Sequence, residues 1–295
     1  MEEIKRGDSD RITREYFDSL LLEMRHMDNK MPDLSFSLFG ERFDTPIMTA
    51  ALSHLDGLCG QGTVEMAKGA KEAGAVAWVG MGDKQELEKI TATGARTVKI
   101  IKPYADNAVI FDRIAHAKSC GALAVGMDVD HAFDGQGNYD TVMGFAMRPK
   151  TADEIHSFVQ AAGIPFIVKG ILSVQDAYKC LQAGAAGIVI SHHHGIMDYA
   201  LPPLKILPRI VKAVGGRMPV FVDCGIASGM DAMKALLLGA DGVCVGRALM
   251  EPLQKSGAQG VRDRILEMSG ALRGAMARTG CADLRHMDSS VLWQP

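Results

Sequence analysis

The sequence has no C-x-x-C pair. Its six cysteines (Cys59, Cys120, Cys180, Cys224, Cys244 and Cys281) lie far apart, which excludes a dithiol redox motif and a clustered zinc site. No stretch reaches the roughly 18 consecutive apolar residues of a membrane span. The opening MEEIKRGDSDRITREYFDS is charged and lacks the apolar heart of a secretory leader. Positive charge is not in excess either, with 32 Lys and Arg against 35 Asp and Glu, so a broad nucleic-acid footprint is excluded. These absences leave a soluble, cytoplasmic protein with reduced thiols and a small-molecule partner. A composition of 47% hydrophobic and 23% charged residues is that of a globular enzyme with a large core.

From Pro46 onward, short β-branched apolar runs alternate with amphipathic segments that end on glycine, which is the pattern of successive βα units around a parallel sheet. Eight runs are predicted as strands: 46–52, 75–80, 97–102, 122–130, 165–171, 185–191, 219–225 and 241–246. The stretches QDAYKCLQAGAAGIVI and MDAMKALLLGADGVCV repeat one pattern, a helix, a glycine stop and a buried strand, as equivalent units of a barrel would. An open doubly wound sheet is the competing architecture, but no G-x-G-x-x-G follows the first strand. The reading is an α/β protein, a single (β/α)8 TIM barrel over residues 1–295. Residues 1–45 form an N-terminal extension, and 133–149, rich in Gly and polar residues, form a mobile lid.

Ligand chemistry in such a fold collects at the C-terminal ends of the strands. Lys169 ends the fifth run as a cation, either reaching water or facing an electron-rich ligand. The sixth run ends in Ser191 and three histidines, His192, His193 and His194. Neighbours on an extended segment point in alternating directions, so one catalytic histidine is expected and no metal. Asp128 and Asp223 close the fourth and seventh runs, as partners for a histidine or as simple loop anchors. Gly246 and Arg247 end the eighth, where barrels often build a phosphate site. Trp78 and Phe166 read as core packing. His54 and His131 read as loop residues outside the catalytic set.

Together these residues resemble the FMN-dependent α-hydroxy-acid oxidase and dehydrogenase family, which includes glycolate oxidase, lactate oxidase and flavocytochrome b2. The likeness spans nearly the whole chain and is densest in PFIVKGILSVQDAYKCLQAGAAGIVIS, in the stretch from LPPLKIL to VGRALM, and in MARTGCADLRHM. It implies FMN as cofactor, with Lys169 near flavin N1 and O2, Ser191 in the flavin pocket, and Asp223, Gly225, Gly246 and Arg247 at the ribityl-phosphate end. The backbone of Thr49, Ala50 and Ala51 would face the flavin edge, and Lys99 would stand in the place of a flavin-contacting glutamine. His193 would be the active-site base, paired with Asp128. A tetramer is also implied.

The departures bear on the substrate. Ile196 stands where the family has an arginine for the substrate carboxylate, and DVDHAFDGQG lacks the second such arginine. Ala227 or Ser228 replaces a phosphate-gripping arginine, and Ile101 an active-site tyrosine. Each charge-assisted arginine contact is worth about 1.5–3 kcal/mol. The resemblance therefore implies His-assisted C–H activation with hydride transfer to flavin N5, on a substrate other than plain glycolate or lactate. Lys102, His131, His192 and His194 are the candidate replacement cations. The alternatives are an FMN-dependent isomerase without net redox change and a flavin-free phosphate-ligand barrel or degenerate binding protein.

Overall fold

The computed structural model describes residues 6–293. All eight expected strands are present: β1 (Ile47–Thr49), β2 (Ala77–Val79), β3 (Thr97–Ile101), β4 (Ala124–Asp128), β5 (Phe166–Ile171), β6 (Gly187–Ile190), β7 (Val220–Val222) and β8 (Gly242–Val245). They pair in parallel in the spatial order β1-β8-β7-β6-β5-β4-β3-β2. The circle closes between β1 and β2. There the Thr49 hydroxyl accepts from the Trp78 amide (2.8 Å) and donates to the Trp78 carbonyl (3.1 Å), and the Gly80 amide donates to the Leu52 carbonyl (2.8 Å). The fold is a TIM barrel.

Helices α1 (Ser9–Ser19), α2 (Gly62–Glu72), α3 (Lys84–Ala92), α4 (Asn107–Ser119), α5 (Ala152–Ala162), α6 (Val174–Gln182), α7 (Pro203–Val214), α8 (Gly229–Leu237) and α9 (Arg247–Thr279) surround the strands or lead into them. The two repeated stretches are α6 with β6 and α8 with β8, and they share a start signal. The N-cap hydroxyls of Ser173 and Ser228 accept from the amides of Asp176 and Asp231, satisfying a donor that the first helical turn leaves free. α5 stops at Gly163, whose left-handed φ of 58° suits a residue without a side chain.

Each strand buries two faces, and the alternation sorts the core into two shells. Met48, Trp78, Val98, Ile100, Ala124, Ile167, Val189, Phe221 and Cys244 pack together inside the barrel. Ile47, Ala77, Ile101, Val125, Phe166, Ile188, Val220 and Val243 belong to the cluster shared with the helices. Trp78 meets Phe221 edge to face at 5.3 Å in the interior. Phe36, Leu38 and Phe43, from an antiparallel hairpin of the N-terminal extension (Phe36–Leu38 with Glu41–Phe43), join the same inner cluster.

The 133–149 segment holds a short hairpin, Thr141–Val142 with Phe145–Ala146. Its far end is tied down by the Arg148 guanidinium on Glu154 and Asn107. No helix among the described residues is long and apolar enough to cross a membrane.

Candidate active site

The inner shell's period of two, continued past the strand ends, decides which polar side chains enter the barrel mouth. Ala50, Lys102, Asp128, Lys169, Ser191, His193, Asp223 and Gly246 all fall on the inner parity. Most of them line or adjoin a cavity of about 560 Å³. It is walled by Ala50, Ala51, Leu52, Ile226 and Ala248, with Lys169 and His193 on it, and it runs to Gly225, Gly246 and Arg247.

His193 is the centre of the polar cluster. Its Nδ1 lies 2.9 Å from Asp130 Oδ1 and 3.2 Å from Asp128 Oδ1. Its Nε2 lies 2.9 Å from Nε2 of His131, whose Nδ1 is 3.3 Å from Asp140 Oδ2. The backbone around it is constrained: His193 and His194 both have left-handed φ, 48° and 56°. The Ser191 hydroxyl holds this turn by accepting from the His193 amide at 3.0 Å.

Lys169 Nζ reaches Ser191 Oγ and Asp223 Oδ2, each at 3.3 Å, and lies 3.8 Å from Asp128 Oδ1. Lys102 Nζ adds an ion pair to Asp128 Oδ2 at 2.8 Å. Buried charges survive only when paired in this way.

The protonation pattern follows from these neighbours. Burial alone pulls the imidazolium of His193 down, but the hydrogen bonds to Asp128 and Asp130 outweigh it and push the group up to about 9. Burial, with the charge of Asp128, raises Asp130 to about 7. Burial works against ionisation of Asp128 too, yet Lys169 and the hydrogen bonds hold it well below the usual carboxylate range. Lys169 is raised well above an ordinary lysine because Asp128 and Asp223 overcome its burial. Asp128, His131 and His193 can each bring one donor atom within 4.8 Å of the others. Two ammonium groups already occupy the neighbourhood of Asp128, which makes it a poor seat for a divalent cation.

At the other end of the cavity, α8 and α9 begin beside β7 and β8, so two helix starts face the space. The Arg247 guanidinium lines it and is gripped by Asp10 at 3.0 and 3.1 Å. Arg14 lines it too, with its outer nitrogens on Asp231 (3.0 Å) and Asp18 (2.8 Å), while its buried Nε has no hydrogen-bond partner. Both Asp10 and Arg14 come from α1. Thr13 and Phe17 of that helix press on Gly225, where an added Cβ would come within 2.9 Å of the Thr13 methyl.

Most of the expected residues are brought together here: His193, Asp128, Lys169, Ser191, Asp223, Ala50, Ala51, Gly225, Gly246 and Arg247. Two lie apart from the cavity. Lys99 takes the outer parity, and its buried ammonium donates to the Gly80 carbonyl, with burial lowering it to about 8. The residues of β3 on the inner parity are Ile100 and Lys102, one position along from the expected Lys99 and Ile101. Thr49 is likewise turned outward and spends its hydroxyl on the seam with β2.

Of the candidate replacement cations, His192 is consumed by the Thr13 hydroxyl (2.8 Å) and the Gly195 amide (2.9 Å). His194 pairs with Asp10 at the Arg247 end of the cavity. Lys102 and His131 reach the His193 cluster, so the exclusion of His131 from the catalytic neighbourhood is corrected.

Asp10, Arg14 and Asp130 were not expected at all. Strand parity carried two positions past Asp128 finds Asp130. The helical spacing of Asp10, Thr13, Arg14 and Phe17 places those four on one face.

The sequence profile described as FMN-dependent dehydrogenase matches residues 2–162 and 148–294. A 4-hydroxymandelate oxidase of Amycolatopsis orientalis is 30% identical over 278 residues, covering 83% of this chain and 78% of that protein. An L-lactate oxidase of Lactobacillus jensenii is 30% identical over 315 residues, covering 92% of this chain and 75% of its own. Among solved structures, a mandelate oxidase variant with a C4a-OH-FMN adduct superposes with a TM-score of 0.88 at 28% identity, covering 98% of this chain and 91% of that one.

Proposed function

The chain belongs to the FMN-dependent dehydrogenase family, and from that premise we propose that it oxidises a small hydroxy-acid-like CH–OH donor, other than plain glycolate or lactate, with His193 accepting the proton. The observation that carries this reading is the His193 imidazole, fixed through Nδ1 by two carboxylates at the edge of a cavity that also presents Lys169.

The donor set of that cavity fits FMN. Ala50, Ala51, Leu52 and Ile226 offer a flat apolar wall for a ring system, and Lys169 offers a fixed positive charge beside it. Arg247, Arg14 and the starts of α8 and α9 suit a phosphate. When bound, FMN takes up the electron pair and hydrogen that leave the substrate carbon. The chain's own residues do the rest. Neutral His193 receives the substrate proton, and Asp128 and Asp130 stabilise the imidazolium that results. Lys169 stays charged throughout because two carboxylates hold its proton.

The substrate grip differs from that of a simple hydroxy acid. Ile196 occupies the position of the expected arginine. Lys102 is engaged by Asp128, and His131 by His193 and Asp140. This supports a donor whose recognition does not rest on a free guanidinium. We read residues 133–149 as a lid over the site. We also read the enzyme as a cytoplasmic homo-oligomer, for which light scattering of the purified protein is the check.

The test is anaerobic reduction of the bound flavin, followed by loss of its yellow absorbance, with a series of 2-hydroxy acids that includes (S)-mandelate. His193→Ala is expected to keep FMN and to lose at least about 10²-fold in the reduction rate. Reduction at the unaltered rate would reject the role.

A further inference from the structure

We infer that His131 is the outlet for the proton on His193: the two imidazoles share it between their Nε2 atoms, and His131 Nδ1 hands it on to Asp140 at the root of the 133–149 segment. This rests on the reading of His193 as the base. The two Nε2 atoms are 2.9 Å apart with the rings edge to face, 84° between their planes.

Hydrogen-bond bookkeeping narrows the arrangement of protons to one extra proton on the imidazole pair. His193 Nδ1 faces the carboxylates of Asp128 and Asp130 and therefore carries hydrogen. If His193 is neutral, its Nε2 is bare and His131 must donate to it, which leaves a bare His131 Nδ1 against the Asp140 carboxylate. If His193 is cationic, its Nε2–H donates to a bare His131 Nε2, and His131 Nδ1–H donates to Asp140. The second gives every nitrogen a partner, and the one other arrangement that does so puts the extra proton on His131 in place of His193.

The charges around the pair place the extra proton on His193. Asp128 and Asp130 face His193, together with Lys169. Lys102, Asp128 and Asp140 face His131. Burial lowers His131, and the charges of Lys102 and His193 lower it further, so that it is the neutral member.

The transfer balances without any redox partner. The His193 Nε2–H bond breaks as a His131 Nε2–H bond forms, and the His131 Nδ1–H bond breaks as an Asp140 Oδ2–H bond forms. A single proton moves, both imidazoles end neutral, and Asp140 ends as a carboxylic acid. The Asp140 side chain is 24% exposed against 5% for Asp128, so the chain of groups ends where water can take the proton. The Nε2 lone pair of His193 takes one partner at a time, so the hand-off to His131 follows departure of the oxidised product and resets His193 for the next one. His131 acts through His193 and is a positioning and relay residue.

The experiment uses FMN-loaded protein carrying 15N in its imidazoles, without substrate, titrated through neutral and alkaline pH by long-range 1H–15N correlation. At neutral pH His193 is expected to carry hydrogen on both nitrogens and His131 on Nδ1 only. His131→Phe should lower the midpoint of His193 by about one unit, because a hydrogen bond to the charged form favours it. His131→Gln, whose amide oxygen accepts the same bond, should restore that midpoint. Asp140→Ala should allow the Nε2–H tautomer of His131 to appear.

An Nε2–H tautomer of His131 in the parent protein at neutral pH would overturn the inference. So would an unchanged His193 midpoint in His131→Phe that still holds FMN. Failure of every hydroxy acid to reduce the flavin would instead reject the proposed oxidation and leave this titration as it stands.

Discussion

A base held near pKa 9 works only in the fraction of molecules that have lost its proton. The raised value means that His193 is protonated at neutral pH and becomes a competent acceptor as the pH climbs. The rate of flavin reduction should therefore rise with pH and level off above about 9, measured by stopped-flow at saturating donor. A rate that is flat through the neutral range would contradict the assignment. Ile196 gives a second prediction at this scale. Ile196→Arg supplies the missing guanidinium, and kcat/KM for (S)-mandelate should increase at least about tenfold, the return on one charge-assisted contact at the low end of about 1.5–3 kcal/mol. The sequence alone made Lys169, His193, Asp128 and Arg247 legible because each stands at the end of an apolar run. It misplaced Lys99 because a one-residue error in register exchanges the two faces of a strand. It left His131 out of the catalytic set because nothing in a linear reading brings residue 131 to residue 193.

Among the elements, β5 and α1 do the most to shape the site. The pairing of β5 with β6 shifts between Lys169 and Ile171, and Gly170 at the shift has a φ of 92°. A Cβ there would come within 2.6 Å of the Asp130 carboxyl group. The bulge thus makes the room in which Asp130 reaches His193. Gly170→Ala should cost about 1–3 kcal/mol in stability and lower the midpoint of His193, the first read by thermal melting and the second by imidazole NMR. A variant that melts like the parent would count against a tight fit. Helix α1 brings the Arg14 guanidinium to the cavity beside the β7 loop, where Ala227 and Ser228 stand, and on the proposed reading it takes the phosphate. Arg14→Ala should weaken FMN about tenfold and leave riboflavin binding unchanged, both by quenching of flavin fluorescence. Equal loss for the two ligands would show that Arg14 serves the fold and not the phosphate. The strand positions were readable from β-branched runs and glycine stops. The contribution of α1 was not, because an amphipathic N-terminal helix says which residues share a face and not which cavity they meet.

Across the whole molecule, the barrel reading succeeded because eight similar units repeat one chemistry of strand, glycine and cap, and a repeated signal survives errors in any single unit. The N-terminal extension was seen only as a stretch before the first strand. In the structure its hairpin joins the inner core and its helix walls the Arg247 end of the cavity. That second role has a consequence in the order of assembly. Asp10 grips Arg247 across a separation of 237 residues, so α1 waits for β8 before the pocket has all its walls. Contacts of such long range form late in folding. The nascent chain is thus expected to stay colourless until β8 has emerged, and flavin held as proposed would then join α1 to β8, stabilising the fold by mass action. A fragment ending at residue 218 should take up no FMN in a fluorescence titration, however much helix it contains.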